Sequence, residues 1–361
     1  MSGVISILNP GRFPLFQVPV GTIVAYSGTI AGIPSGWTLC DGTGGTPNLS
    51  DHFVIGEDAT YTYDTSGGAS TSAIGGVSGS GGAHSSAVQN TESGTNSVGN
   101  DVDGVHTHAL SGTMSAIPAA FSYIYIMATA GGPLPALAVL WLNDVVGNIP
   151  ANMTEETNLQ GRFAKGVNTD TRAPVGGNGE DVALTMASDG YHVHGTPVAG
   201  WAIGGSPYSE AVGRGAHSDT PTKTFDYSLP PYFVLTAVQV TSDAVPTIYL
   251  VAGYYGSLAS LPGYWKVCDG TNGTPNMAGR LPLGADSATY TLGATGGAAS
   301  RTGTTTDVTH SASHKHGSNA DATGAATSQH DTYAWSHTHT IPSQALDMPP
   351  WHSLHFIMLA L

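Results

Sequence analysis

Three runs of the chain carry apolar residues on both alternations rather than on one: residues 123–128, 234–240 and 354–361. In the first of them Tyr123, Ile124, Tyr125 and Ile126 follow one another without a polar break. A strand with one wet face alternates, so these three strands are expected to be covered on both faces. Proline introduces each run: Ile117-Pro118-Ala119-Ala120-Phe121, Leu229-Pro230-Pro231-Tyr232-Phe233 and Met348-Pro349-Pro350-Trp351. Proline fixes extended backbone there and bars a helix. Shorter apolar runs lie upstream, at 19–26, 137–142 and 246–252, and Gly42, Gly44, Gly45, Gly270 and Gly273 mark turns between short strands. The pattern predicts an all-β fold with extensive irregular structure and scarce helix.

The runs belong to an internal repeat of about 115 residues. The first copy reads Ile33-Pro34-Ser35-Gly36-Trp37-Thr38-Leu39-Cys40-Asp41-Gly42, and the third reads Leu261-Pro262-Gly263-Tyr264-Trp265-Lys266-Val267-Cys268-Asp269-Gly270 at a constant offset. Thr46-Pro47-Asn48-Leu49 then matches Thr274-Pro275-Asn276-Met277, and Phe53-Val54-Ile55-Gly56 matches Leu281-Pro282-Leu283-Gly284. The middle copy has lost the Trp and the Cys-Asp-Gly turn but keeps Asn158-Leu159-Gln160-Gly161-Arg162-Phe163-Ala164-Lys165-Gly166. The chain therefore divides into an N-terminal docking segment at 1–18, repeat 1 at 19–129, a divergent repeat 2 at 130–243 and repeat 3 at 244–361. Each repeat is expected to form one compact unit with superposable opening and closing strands.

Composition narrows the partners. Charged residues make up 10% of the chain, against a usual share of about 25%. Ten basic residues against 25 acidic ones give a net charge of −15, which excludes the clustered Lys and Arg that a nucleic-acid binder needs. No apolar run is long enough to cross a membrane as a helix, and the run Val4-Ile5-Ser6-Ile7-Leu8 is too short for a secretory signal. Cys40 and Cys268 sit in the same word, so they read as equivalent buried thiols rather than disulfide partners.

Between the ends of a copy the sequence turns to Ser, Gly, Ala, Thr and Asn, at 65–103 in the first copy and 293–333 in the third. Such segments cannot offset their own chain entropy by burial, and they read as chain wound around another copy. Four His-x-His pairs are embedded in this kind of sequence: His106 and His108, His192 and His194, His314 and His316, His337 and His339. On an extended strand residues i and i+2 share a face, so each pair offers two imidazoles to one metal ion. Six imidazoles around an axis suit a borderline divalent ion such as iron, whereas structural zinc usually stops at four ligands. The pairs recur at two positions relative to the closing prolines, each complete in two copies. Lone His84 and lone His217 stand near the degraded third places. His52, His310, His330, His352 and His355 are read as structural.

Residues 34–42 followed by Pro47-Asn48-Leu49-Ser50-Asp51-His52-Phe53-Val54-Ile55-Gly56 resemble the phage tail collar domain. The third copy does too, down to Gly293-Ala294-Thr295-Gly296-Gly297-Ala298 and Met348-Pro349-Pro350-Trp351-His352-Ser353-Leu354. The resemblance implies interwoven, trimeric units in short tail fibres and tail-tip proteins of bacteriophages, located in the virion tail and assembled in the host cytoplasm. It also implies metal, iron or zinc, held by the His-x-His pairs on a threefold axis. The expected function is thus a non-enzymatic tail fibre, spike or tip protein that contacts other tail proteins and a host receptor, either a polysaccharide or an outer-membrane component. A purely structural adaptor shares every one of these features. A polysaccharide-degrading tail enzyme needs a carboxylate pair at defined separation, and no acidic cluster recurs with the repeat. Two assemblies remain open: a homotrimer with stacked copies, or a single-chain pseudo-trimer. A homotrimer would keep just three nitrogens at a level where one copy holds a single His, and this favours the single chain.

Overall fold

The computed structural model describes residues 17–79, 85–88, 99–102, 107–177, 179–186, 222–286, 288–315 and 332–360. The fold is all-β, with an eight-stranded closed barrel plus extra strands. Helix among the described residues is confined to four short 3-10 turns. The strands that build the barrel and its flanks are β1 (Thr22–Tyr26), β2 (Trp37–Leu39), β3 (Phe53–Gly56), β4 (Ala120–Ala128), β5 (Ala138–Leu142), β6 (Met153–Glu155), β7 (Phe163–Gly166), β8 (Tyr232–Val240), β9 (Leu250–Tyr254), β10 (Trp265–Val267), β11 (Leu281–Gly284) and β12 (Trp351–Leu359).

Within each of the three stretches the opening strand pairs antiparallel with the closing strand, as β1 with β4, β5 with β8 and β9 with β12. The opening strands also pair with one another in a closed cycle, β1 with β5, β5 with β9 and β9 with β1. The four-residue middle strands behave differently. Each lies parallel to the closing strand of another stretch: β7 on β4 from Phe163↔Ala120, β11 on β8 from Leu281↔Tyr232, and β3 on β12 from Phe53↔Trp351. The compact units expected from the spacing are therefore interlaced rather than set side by side. A short buried strand must find backbone partners, and each middle strand finds them on the closing strand of another stretch, which also carries its own opening strand.

The double apolar character of the closing strands now has an explanation. Tyr123, Tyr125 and Met127 of β4 enter one core cluster, while Ile124, Ile126 and Ala128 enter another. The opening strands split in the same way, with Ile23 and Ala25 on one side and Val24 and Tyr26 on the other. Both clusters draw on all three stretches, so the core is a shared one. Cys40 and Cys268 are free and buried in the first cluster, and burial pushes both thiols well above their ordinary pKa.

The worn middle stretch keeps its backbone. Met153 faces Val240 where Trp37 faces Ala128 and Trp265 faces Leu359. Glu156 replaces the cysteine: its N–H donates to the Ala237 carbonyl at 2.9 Å, as Cys40 does to Tyr125 (2.9 Å) and Cys268 to Phe356 (2.8 Å). The carboxylate is buried and accepts from Asn158 N (3.1 Å) and Asn158 Nδ2 (2.9 Å). Burial, reinforced by the Glu156 charge, raises the pKa of the neighbouring Tyr123 phenol.

Where β3, β7 and β11 meet, each ends in a glycine. The N–H of Gly56 donates to Arg280 O, that of Gly166 to His52 O and that of Gly284 to Arg162 O, a three-way cycle at 2.8 to 3.1 Å. A Cβ on Gly56 would lie 1.9 Å from Met277 O, on Gly166 1.9 Å from Leu49 O, and on Gly284 1.7 Å from Leu159 O. These are backbone atoms that no rotamer change can move. Gly166→Ala should therefore destabilise the fold by about 3 kcal/mol or more in urea unfolding. Gly45→Ala, at φ +82° but with nothing within 4 Å of its Cβ, should cost about 1 kcal/mol. Equal losses in the two variants would contradict the three-way contact.

Candidate functional site

Beyond the barrel, small sheets join the stretches again. Leu110–Ser115 pairs with Thr71–Ile74 of its own stretch and with Thr185–Met186 of the next. Thr222–Tyr227 pairs with Gly179–Ala183 and with Arg301–Thr304, which in turn pairs with Gln344–Leu346. Ile74, Met114, Met186, Phe225, Ile341 and Leu346 close a second, smaller core from all three stretches. The Ser/Gly/Thr-rich sequence permits this because small residues let backbones approach: Gly79 N donates to Thr340 O at 2.7 Å.

One charged side chain lies at the base of this head. Arg301 is 2% exposed. Its Nε donates to Ser228 O at 2.8 Å, and its Nη1 donates to Ala116 O at 2.8 Å and Asp347 O at 2.9 Å. Ala116, Ser228 and Asp347 each stand two residues before Pro118, Pro230 and Pro349, so one guanidinium binds the same carbonyl of all three stretches. Burial lowers its pKa to about 10, which leaves it charged at neutral pH. Sequence reasoning passed over Arg301. Its signal was a lone arginine opposite Leu346, at a register where the first stretch places Thr71 opposite Ser115.

Of the predicted metal ligands, His108 and His339 are brought together. Their rings lie 4.7 Å apart between centroids and meet edge to face at 83°, and both residues are buried. They come from the first and third stretches, at matching distances before Pro118 and Pro349. Ser78 and Gly79 bridge them: His108 N donates to Ser78 Oγ at 2.9 Å, and His339 Nδ1 lies 3.2 Å from Gly79 O. The Gly79 carbonyl can only accept, so a bond to it needs the proton on His339 Nδ1, and Ser78 Oγ lies 3.4 Å from the same nitrogen. The two imidazoles thus fit part of a metal site, and among the described residues no group of three or more His, Cys, Asp or Glu completes it. His314 and His337 stand on the hairpin Val308–Lys315 with Thr332–His339, His314 opposite Tyr333 and His337 opposite His310. His84, His106, His192, His194, His217 and His316 lie outside the described residues.

Two histidines read as structural form a second polar cluster, where β3 lies against β12. His352 Nδ1 is 2.8 Å from Ser66 Oγ, and its Nε2 is 3.2 Å from Asp64 Oδ1. His355 Nδ1 approaches Glu57 Oε1 at 2.6 Å. Tyr63 stacks on His355 (4.3 Å) and on Tyr255 (5.8 Å), whose hydroxyl donates to Asp64 Oδ2 at 3.1 Å. Phe121 and Phe233 hold the place of His352 on β4 and β8, a mismatch readable from the repeat once the closing strands are overlaid.

Replacing Arg301 with Met removes a buried cation's bonds to three carbonyls, of which Ala116 O is buried and the other two are partly buried, and should cost about 3 kcal/mol or more in thermal or urea unfolding. A loss under about 1 kcal/mol would show that the head does not depend on the shared guanidinium. Comparison of the chain with family models, with curated proteins and with solved structures finds no match.

Proposed function

We propose that this chain is a structural, non-enzymatic component of a bacteriophage tail, a fibre, spike or tip protein in which three collar-like repeats close around an axis as a single-chain pseudo-trimer. The observation that carries the reading is the strand exchange: the middle strand of each stretch lies on the closing strand of another, three times in the same register. Interwoven trimeric units are what the resemblance to collar domains implies. A cycle of three exchanges within one chain supports an arrangement that needs no further copies. The shared contacts of Arg301 support it too, because three identical chains would bring three buried guanidinium groups to one place. Other tail proteins and a host receptor are the partners of such a component, and binding of the purified chain to host cells or envelope polysaccharide separates a receptor binder from an adaptor.

The juxtaposition of His108 with His339 supports a structural metal, iron or zinc, in the head. These two residues would hold it, with His106 and His337 the other members of their pairs. Bound metal would cross-link stretches whose own sequence buries little apolar surface, and ligation contributes folding free energy.

Light scattering should give the mass of one chain, 36.8 kDa. Three times that mass would overturn the single-chain ring in favour of stacked copies. Elemental analysis of metal-replete protein should find about one ion or more per chain, and a chelator should lower the Tm. His108→Ala and His339→Ala should each abolish that chelator effect, and well under one ion per chain would sink the metal.

A further inference from the structure

The three joints of the barrel differ in connection and in chemistry. β4 with β7 and β8 with β11 join stretches that follow one another along the chain, whereas β12 with β3 joins the last stretch to the first. Phe121 and Phe233 make the first two joints apolar at the place where the third has His352. Ser353 adds to the polar character there, with its Oγ bonded to the Thr62 carbonyl and 3.2 Å from Thr65 N.

We infer that the β3–β12 joint is an acid-labile latch: protonation of His352 loosens this pairing while the other two joints stay closed. The inference rests on the single-chain ring proposed above and adds to it a place at which the ring opens. His352 is 5% exposed, and its two ring nitrogens face Ser66 Oγ and Asp64 Oδ1. The ring of His52 stands edge-on at 6.5 Å. The titratable groups around the joint are Asp51, Asp64, Glu57, Tyr61, Tyr63 and His52 from the first stretch, Lys165 from the second, and His355, Tyr254 and Tyr255 from the third.

Burial holds the His352 pKa below the ordinary histidine value; Asp64 opposes this, and His52 adds to it. A group with a depressed folded-state pKa binds its proton more weakly in the folded state than in the unfolded one. Its contribution is complete above the ordinary value of about 6.5 and is lost progressively as the pH falls below it. His355 faces Glu57 Oε1 across the same joint at 2.6 Å. The discriminating substitution is therefore His352→Phe, which installs the residue that the other joints carry.

Hydrogen exchange on the full chain at pH 7.5 and 5.5, corrected for intrinsic rates, tests the latch. Opening at 53–56 and 351–354 should rise by up to about tenfold at the lower pH, with a much smaller change at 163–166 and 281–284. His352→Phe should flatten the response. Asp64→Asn, a change at an exposed carboxylate, should enlarge it by removing the charge that favours protonated His352. If His352→Phe does not fold, Asp64→Asn decides alone. An equal change at all three joints, a wild-type response in His352→Phe, or an unchanged response in Asp64→Asn would each overturn the latch. Light scattering at both pH values separates the two readings: a trimer at pH 7.5 refutes the ring, and a monomer with an indifferent joint refutes the latch alone.

Discussion

A backbone buried on both faces must still satisfy its N–H and C=O groups, and in this chain that requirement reaches across the repeat. The closing strands β4, β8 and β12 carry apolar residues on both alternations, and both of their faces contribute to core. Each pairs with its opening strand along one edge and with a short flanking strand along the other, and beside that flanking strand the edge accepts a middle strand from elsewhere. Because β3, β7 and β11 are each four residues long, the exchange is local, yet it commits every stretch to two others. The shared cores follow from that commitment. So do the three glycines, which let one backbone touch the next where the middle strands converge.

Divergence among the stretches falls where identity is not required. The backbone cycle is insensitive to side chain, so Met153 can replace a tryptophan and Glu156 a cysteine without changing a strand pairing. Near an axis the situation is reversed. Three identical chains put every axial residue there in triplicate, and a buried cation is then prohibitive. In this chain one guanidinium, that of Arg301, serves the equivalent carbonyl of all three stretches. The joint between β12 and β3 is likewise polar while its counterparts are apolar.

The histidines illustrate the link from sequence to geometry. An i, i+2 spacing places two imidazoles on one strand face, but it does not say which strands meet. His108 and His339 are more than two hundred positions apart, and the segment Ser78–Gly79 between their strands brings the rings within contact. Local groups then orient the rings: Gly79 O and Ser78 Oγ both approach Nδ1 of His339.

Sequence by itself determined the fold class, the repeat and its equivalent positions, because strand burial, proline placement and turn glycines are local properties that leave a pattern in the chain. The pairing of Trp37 with Trp265, of Cys40 with Cys268, and of the closing prolines with one another was legible in this way, and the expected closing strands are the ones observed within a few residues. Tertiary structure alone decided that β7 lies on β4 rather than on β8, since a parallel pairing between repeats leaves no mark within either repeat. It alone decided that Arg301, one basic residue in a polar run, ends among three carbonyls, and that His352 and His355 meet Asp64 and Glu57. Those contacts join residues from different stretches, and backbone distance in space is not encoded by spacing along a chain.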